Sequence, residues 1–100
     1  MPHLYILDPH NRVVPVDNPL HWVSHPSFMK RVGYVSINGV EISTVFIGID
    51  FLNEEEPQVF ETMTFGGKFK YRQMRCSTWK RALDMHMNMC ANVRRDQREQ

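Results

Sequence analysis

Apolar and polar residues alternate with a period of two through the middle of the chain, and a period near 3.6 takes over after position 77. Arg31 to Ile37 and Val40 to Ile49 are rich in β-branched and aromatic side chains, and the intervening Asn38-Gly39 is a strong two-residue hairpin signal. Such a loop pairs Ile37 with Val40, Val35 with Ile42 and Gly33 with Thr44 on one face. Tyr34, Ser43, Val32 and Val45 are left on the other. Leu52 to Pro57 is a polar connection in which Glu54, Glu55 and Glu56 repel one another and favour solvent.

Gln58 to Phe65 and Phe69 to Cys76 predict a second hairpin around Gly66-Gly67-Lys68. A three-residue loop sets Phe65 against Phe69, Met63 against Tyr71, Glu61 against Gln73 and Val59 against Arg75. That face is expected to be mainly core. Thr62, Thr64, Lys70 and Arg72 then fall on an exposed cationic face, with Phe60 and Met74 further along.

Upstream, His3 to Leu7 and Arg12 to Val16 flank the turn-prone Asp8-Pro9-His10-Asn11. Asp17 or Asn18 caps a short helix with Pro19 at its first position, stopped by Pro26. Downstream, Ser77 or Thr78 caps the one long helix, which runs to about Val93 with Trp79, Ala82, Leu83, His86, Cys90 and Val93 on the sheet-facing stripe. These elements predict an α+β domain: a mainly antiparallel sheet of four to six strands with the C-terminal helix packed on one face. Within a single domain over 1–100, the parts are an N-terminal hairpin and short helix (1–29), the sheet (30–76), the helix (77–94) and a frayed tail (95–100).

A hydrophobic share of 42% and a charged share of 23% are those of a folding globular chain. No apolar run approaches the roughly 18 residues that cross a bilayer, so no membrane partner is expected and the location is cytoplasmic. Two cysteines, Cys76 and Cys90, are too few for a secreted disulfide framework and are read as reduced. The net charge of +1 attracts nothing globally, yet charge is segregated. Glu41, Asp50, Glu54, Glu55, Glu56 and Glu61 precede Lys68, Lys70, Arg72, Arg75, Lys80 and Arg81.

Three groups of residues invite chemistry. Glu61 on the expected core face must be paired or neutralised, and Gln73, Arg75 and His86 are placed to converge on it. A salt bridge with a hydrogen-bonded histidine, holding strand register, is preferred there to a tuned catalytic acid. Cys76, His86 and Cys90 supply three ligands where structural zinc wants four, so neither metal nor cofactor is expected, with a metal or enzymatic site at Glu61, His86 and Cys90 as an alternative. Lys68, Lys70 and Arg72 with Thr62 and Thr64 are the candidate contacts for an anionic small molecule or nucleic acid. Alternation weakens a base-stacking platform, because Phe69 and Tyr71 project to the other side from Lys70 and Arg72. Met85, Met87 and Met89 spread around the helix so that at least one is exposed, and two partly apolar sheet faces suggest a homodimer.

The run Val45-Phe46-Ile47-Gly48-Ile49-Asp50, the block Phe60-Glu61-Thr62-Met63-Thr64-Phe65-Gly66-Gly67, and Ser77-Thr78-Trp79 leading to Ala82 and His86 resemble a family of small uncharacterised proteins encoded by tailed bacteriophages. Leu7-Asp8, Val14-Pro15-Val16, His21-Trp22 and Lys30-Arg31-Val32 are similar in order and spacing, so the resemblance spans roughly Tyr5 to Cys90. It departs at Phe51, where members often carry histidine, and at Met85, where they often carry glycine. The family has no assigned activity. The resemblance implies a viral accessory protein in the cytoplasm of an infected bacterium, and the absence of a reaction motif favours a non-enzymatic binder of a host or phage protein.

Overall fold

Asn38 and Gly39 take φ values of 48° and 87°, the double left-handed geometry of the tight hairpin turn. Around that turn the computed structural model, which describes residues 3–52, 55–67 and 72–99, builds two antiparallel sheets and one long helix. The strands are β1 (His3–Leu7), β2 (Val13–Val16), β3 (Arg31–Ile37), β4 (Val40–Phe46), β5 (Ile49–Asp50), β6 (Phe60–Phe65) and β7 (Gln73–Cys76). The helices are α1 (Pro19–Ser24) and α2 (Trp79–Arg98). The larger sheet has the order β3-β4-β6-β7 and the smaller β2-β1-β5, so the amino-terminal hairpin forms its own sheet and does not extend the main one. The α+β class read from the pattern is the class observed.

Gly48 explains the division into two sheets. Its φ of 66° kinks the chain after β4, and a Cβ there would lie 2.8 Å from the Tyr5 carbonyl oxygen and 2.9 Å from Trp22 Nε1. Only glycine satisfies both conditions, so the expected strand from Val40 to Ile49 ends at Phe46, and Ile49 with Asp50 pairs with β1 instead.

The hairpin register is the predicted one: Ile37 pairs with Val40, Val35 with Ile42 and Gly33 with Thr44. The β6–β7 register differs by two residues, pairing Glu61 with Arg75 and Met63 with Gln73. The buried face of β6 is also the reverse of the expectation. Phe60, Thr62 and Thr64 are buried beneath α2, while Glu61, Met63 and Phe65 lie on the outer side. The neighbouring strand decides this, because Val40, Ile42, Thr44 and Phe46 form the inner row of β4, and Phe60, Thr62 and Thr64 stand opposite it.

Thr78 caps α2 by accepting the Arg81 N–H at 3.1 Å. The helix buries Ala82, Met85, Met89, Cys90 and Val93, leaving Leu83 exposed and Met87 at 68% exposure, so two methionines replace leucine in the expected stripe. The helix also continues to Arg98 instead of fraying after Val93, because Gln97 and Asp96 tie its last turns to the sheet. Two apolar clusters result. Leu7, Phe46, Val59, Phe60 and Ala82 form one, and Val40, Ile42, Met89, Cys90 and Val93 form the other.

Candidate functional site

Between the two apolar clusters runs a polar layer. Thr44 and Thr62 are fully buried on adjacent strands with their hydroxyl oxygens 2.5 Å apart, and Thr44 Oγ1 lies 2.7 Å from His86 Nδ1. A neutral ring with its proton on Nε2 completes a chain in which Thr62 donates to Thr44 and Thr44 donates to Nδ1. Burial of the ring lowers the His86 pKa from its ordinary value and favours that neutral form. His86 reaches Thr44 by lying over Gly33, where a Cβ would stand 2.8 Å from the ring. These residues hold α2 to the sheet.

Glu61 is on the opposite side of the sheet. Its Oε2 accepts Arg75 Nε–H at 2.8 Å and a further hydrogen bond from the Gln73 amide. The predicted meeting of Glu61, Gln73 and Arg75 is therefore present, but His86 is not part of it, because Glu61 projects away from α2 and His86 is carried on α2. Glu61 is held by a directly opposite arginine on the outer face and is not a charge in the core.

That outer face is the most distinctive surface of the molecule. Among the described residues α2 packs against the Thr44 and Thr62 side of the four-stranded sheet, Leu7 of β1 joins the Phe46 and Phe60 end of that same side, and no helix or strand covers the other side. Three cross-strand rows cross it: Ser36, Glu41 and Phe65; Tyr34, Ser43, Met63 and Gln73; Arg31, Val45, Glu61 and Arg75. Val45 and Met63 are half-buried at its centre, and Tyr34 and Phe65 are exposed. The Arg31 guanidinium stacks 4.8 Å from the centroid of the Tyr34 ring, whose hydroxyl donates to Glu41. An apolar centre is thus ringed by two arginines and two glutamates.

The anion-binding face expected from Thr62, Thr64 and Arg72 is not formed. Thr62 and Thr64 are buried, Thr64 Oγ1 accepts the Arg72 backbone N–H at 2.9 Å, and the Arg72 guanidinium is ion-paired with Asp96. Lys68 and Lys70 lie outside the described residues. The thiols are separated as well. Cys76 borders the cluster around Phe46 and Phe60, whereas Cys90 belongs to the cluster around Ile42 and Val93. Burial raises both thiol pKa values, which keeps them protonated. Among the described residues no three histidine, cysteine or acidic side chains gather as metal ligands, so the alternative at Glu61, His86 and Cys90 has no common centre.

Two clefts have no counterpart in the sequence reading. One, of about 290 Å³, is lined by Asp8, Asn11, His25, Ser27 and Lys30 among others. The buried Ser27 accepts the Leu7 N–H at 3.0 Å and bonds His25 Nδ1 at 2.8 Å, while both Asp8 oxygens are taken up by the His10 and Arg12 N–H groups and by Arg12 Nε. Its polar groups mainly fasten the loop to β1. The only local signal was the His-Pro-Ser spacing, which suits a side chain that bonds backbone two residues on. The other cleft, of about 350 Å³, lies at the hairpin tip beside Arg94 and Arg98. No sequence pattern marked it, since it joins residues about sixty positions apart. Among the described residues no helix is long and apolar enough to cross a membrane. Comparison of the chain with protein-family models, with curated proteins and with solved structures gave no match.

Proposed function

We propose that this chain is a non-enzymatic binding protein whose open sheet face docks a partner protein. The observation that carries the reading is the uncovered face itself, with half-buried Val45 and Met63 inside a rim of Arg31, Glu41, Glu61 and Arg75. An apolar centre with a charged rim is the anatomy of a protein interface, and charges of both signs orient an encounter more than they strengthen it. The resemblance of the Phe60 to Gly67 block to small phage proteins supports an accessory role in an infected bacterium, with a host factor or defence component as partner. The partner surface would be apolar at its centre, with carboxylates facing Arg31 and Arg75 and cations facing Glu41 and Glu61.

The test is recovery of the chain from infected cells in two forms, native and Met63→Glu. Met63 points away from α2, so the variant keeps its fold by circular dichroism while a charge enters the centre of the interface. A protein that accompanies the native chain and is lost from the variant supports the reading. Identical companions for both forms overturn it. A second copy of the chain is the other occupant this face would accept, since a surface with two charges of each sign can complement itself. Light scattering that reports a native dimer and a Met63→Glu monomer would assign the face to self-association.

A further inference from the structure

The Gln97 side chain ties the hairpin tip to the end of α2. Gln97 Nε2 donates to the Ile37 carbonyl at 2.7 Å, and Asn38 Nδ2 donates to Gln97 Oε1 at 3.3 Å. These bonds fix the walls of the cleft lined by Ile37, Asn38, Arg94, Gln97 and Arg98. Arg94 and Arg98 are one helical turn apart and flank Gln97, so both belong to the same side of α2.

Among the described residues neither Arg94 nor Arg98 is ion-paired with a carboxylate. Asp96 is occupied by Arg72 and lies 3.9 Å from Arg95, and Glu99 follows Arg98 without pairing with it. A cleft lined by two arginines calls for an oxyanion, because each planar guanidinium fork can grip two oxygens at once. Two positive charges match the dianion of a phosphate monoester near neutral pH. Among the described residues no aromatic ring lines the cleft, so they offer no stacking surface of the kind single-stranded nucleic acid uses. The volume of about 350 Å³ is at the small end of ligand sites, enough for a phosphate with a short carbon skeleton.

We propose that this cleft is a binding site for a small phosphomonoester, held by Arg94 and Arg98. The carbonyl end of a helix carries partial negative charge, which repels an anion, so the two arginines supply the whole attraction. The site is distinct from the open sheet face and stands or falls independently of it.

The experiment is a titration at constant ionic strength, with inorganic phosphate and ribose 5-phosphate as probes, following the Asn38, Gly39 and Gln97 amide resonances. Saturable shifts in the millimolar range or below are expected. Arg94→Gln and Arg98→Gln together should weaken binding by about tenfold or more, and Arg94→Lys with Arg98→Lys should recover only part of it. Glutamine is a good helix former, so thermal melting verifies that the double variant stays folded. Met63→Glu should leave phosphate binding unchanged. Shifts that never saturate, or an affinity that survives the double glutamine variant, would overturn the assignment. Tight binding of an oligothymidylate without binding of either small phosphate would overturn it equally.

Discussion

Thr44, Thr62 and His86 set a bond network across the middle of the core in which each member satisfies another. Removing one member strands the others: Thr44→Val deletes the central hydroxyl and should destabilise the fold by about 1–3 kcal/mol in denaturant titrations. Replacing all three, as Thr44→Val, Thr62→Val and His86→Leu, removes every buried polar atom of the network and should be far less harmful than the single change. A triple variant weaker than the single one would show that the network has more members. His86 also predicts a pH dependence. Its native pKa lies below the ordinary value of 6.5, so as pH falls through that range the unfolded chain takes up a proton before the native one. The stability present above about pH 6.5 is therefore lost toward the lower native pKa, and the melting temperature should fall across that window. His86→Gln should flatten the fall relative to the native chain, which isolates His86 from the other histidines. Gly33→Ala tests the same ring sterically. The ring is pinned to Thr44 and cannot retreat without breaking that bond, so a loss of about 1–3 kcal/mol is expected. Little of this network was legible in the sequence. A threonine reads as a neutral strand residue until its register partner is known, and His86 was visible as sheet-facing without revealing which side of β6 it would meet.

At the scale of elements, the sequence was most informative where local chemistry has one solution. Asn38-Gly39 admits a single hairpin turn, Asn18 with Pro19 starts α1, and Thr78 starts α2. Thr78→Ala should accordingly cost about 1 kcal/mol in thermal or denaturant unfolding, and a silent substitution would mean that Ser77 takes over the cap. The pattern was least informative where two faces of a strand are nearly equal. Val59, Met63 and Phe65 outweigh Phe60, Thr62 and Thr64 in bulk, and a period-two reading chooses the bulkier face. The opposite choice wins because β4 offers Ile42, Thr44 and Phe46 inward, and the threonines find hydroxyl and backbone partners there. Gly48 is a comparable case, since nothing local distinguishes a strand glycine from one where the chain leaves its sheet. The candidate site followed the same division: the Glu61–Arg75 pair was foreseeable from hairpin geometry, while the open face depended on knowing which side α2 would cover.

At the scale of the whole molecule, the segregated charge seen along the chain becomes an arrangement about α2. The molecule extends 47 Å along its longest axis, and a twenty-residue helix spans about 30 Å. The helix has no acidic residue in its own first turn, but Glu55 and Glu56 line a cleft with Ser77 and Thr78 at its start, and Glu56 reaches Arg81 at 3.2 Å. Arg95 and Arg98 occupy its last turn. Negative charge thus stands at the amino end and positive charge at the carboxyl end, opposing the helix dipole at both. A loop that the sequence presents only as solvated supplies the acid that the first turn lacks. Glu55→Gln with Glu56→Gln should lower the melting temperature by roughly 2–6 °C at low salt, given the size of dipole interactions and the length of the chain. In ~1 M salt, where charges are screened beyond about 3 Å, most of that difference should vanish. A drop of equal size at both ionic strengths would show that the glutamates act through packing or a specific bond. In that case the acidic loop would be better understood as a structural clamp on β1 and β2, reached through Tyr5 and Val13, than as a counter-charge to the helix.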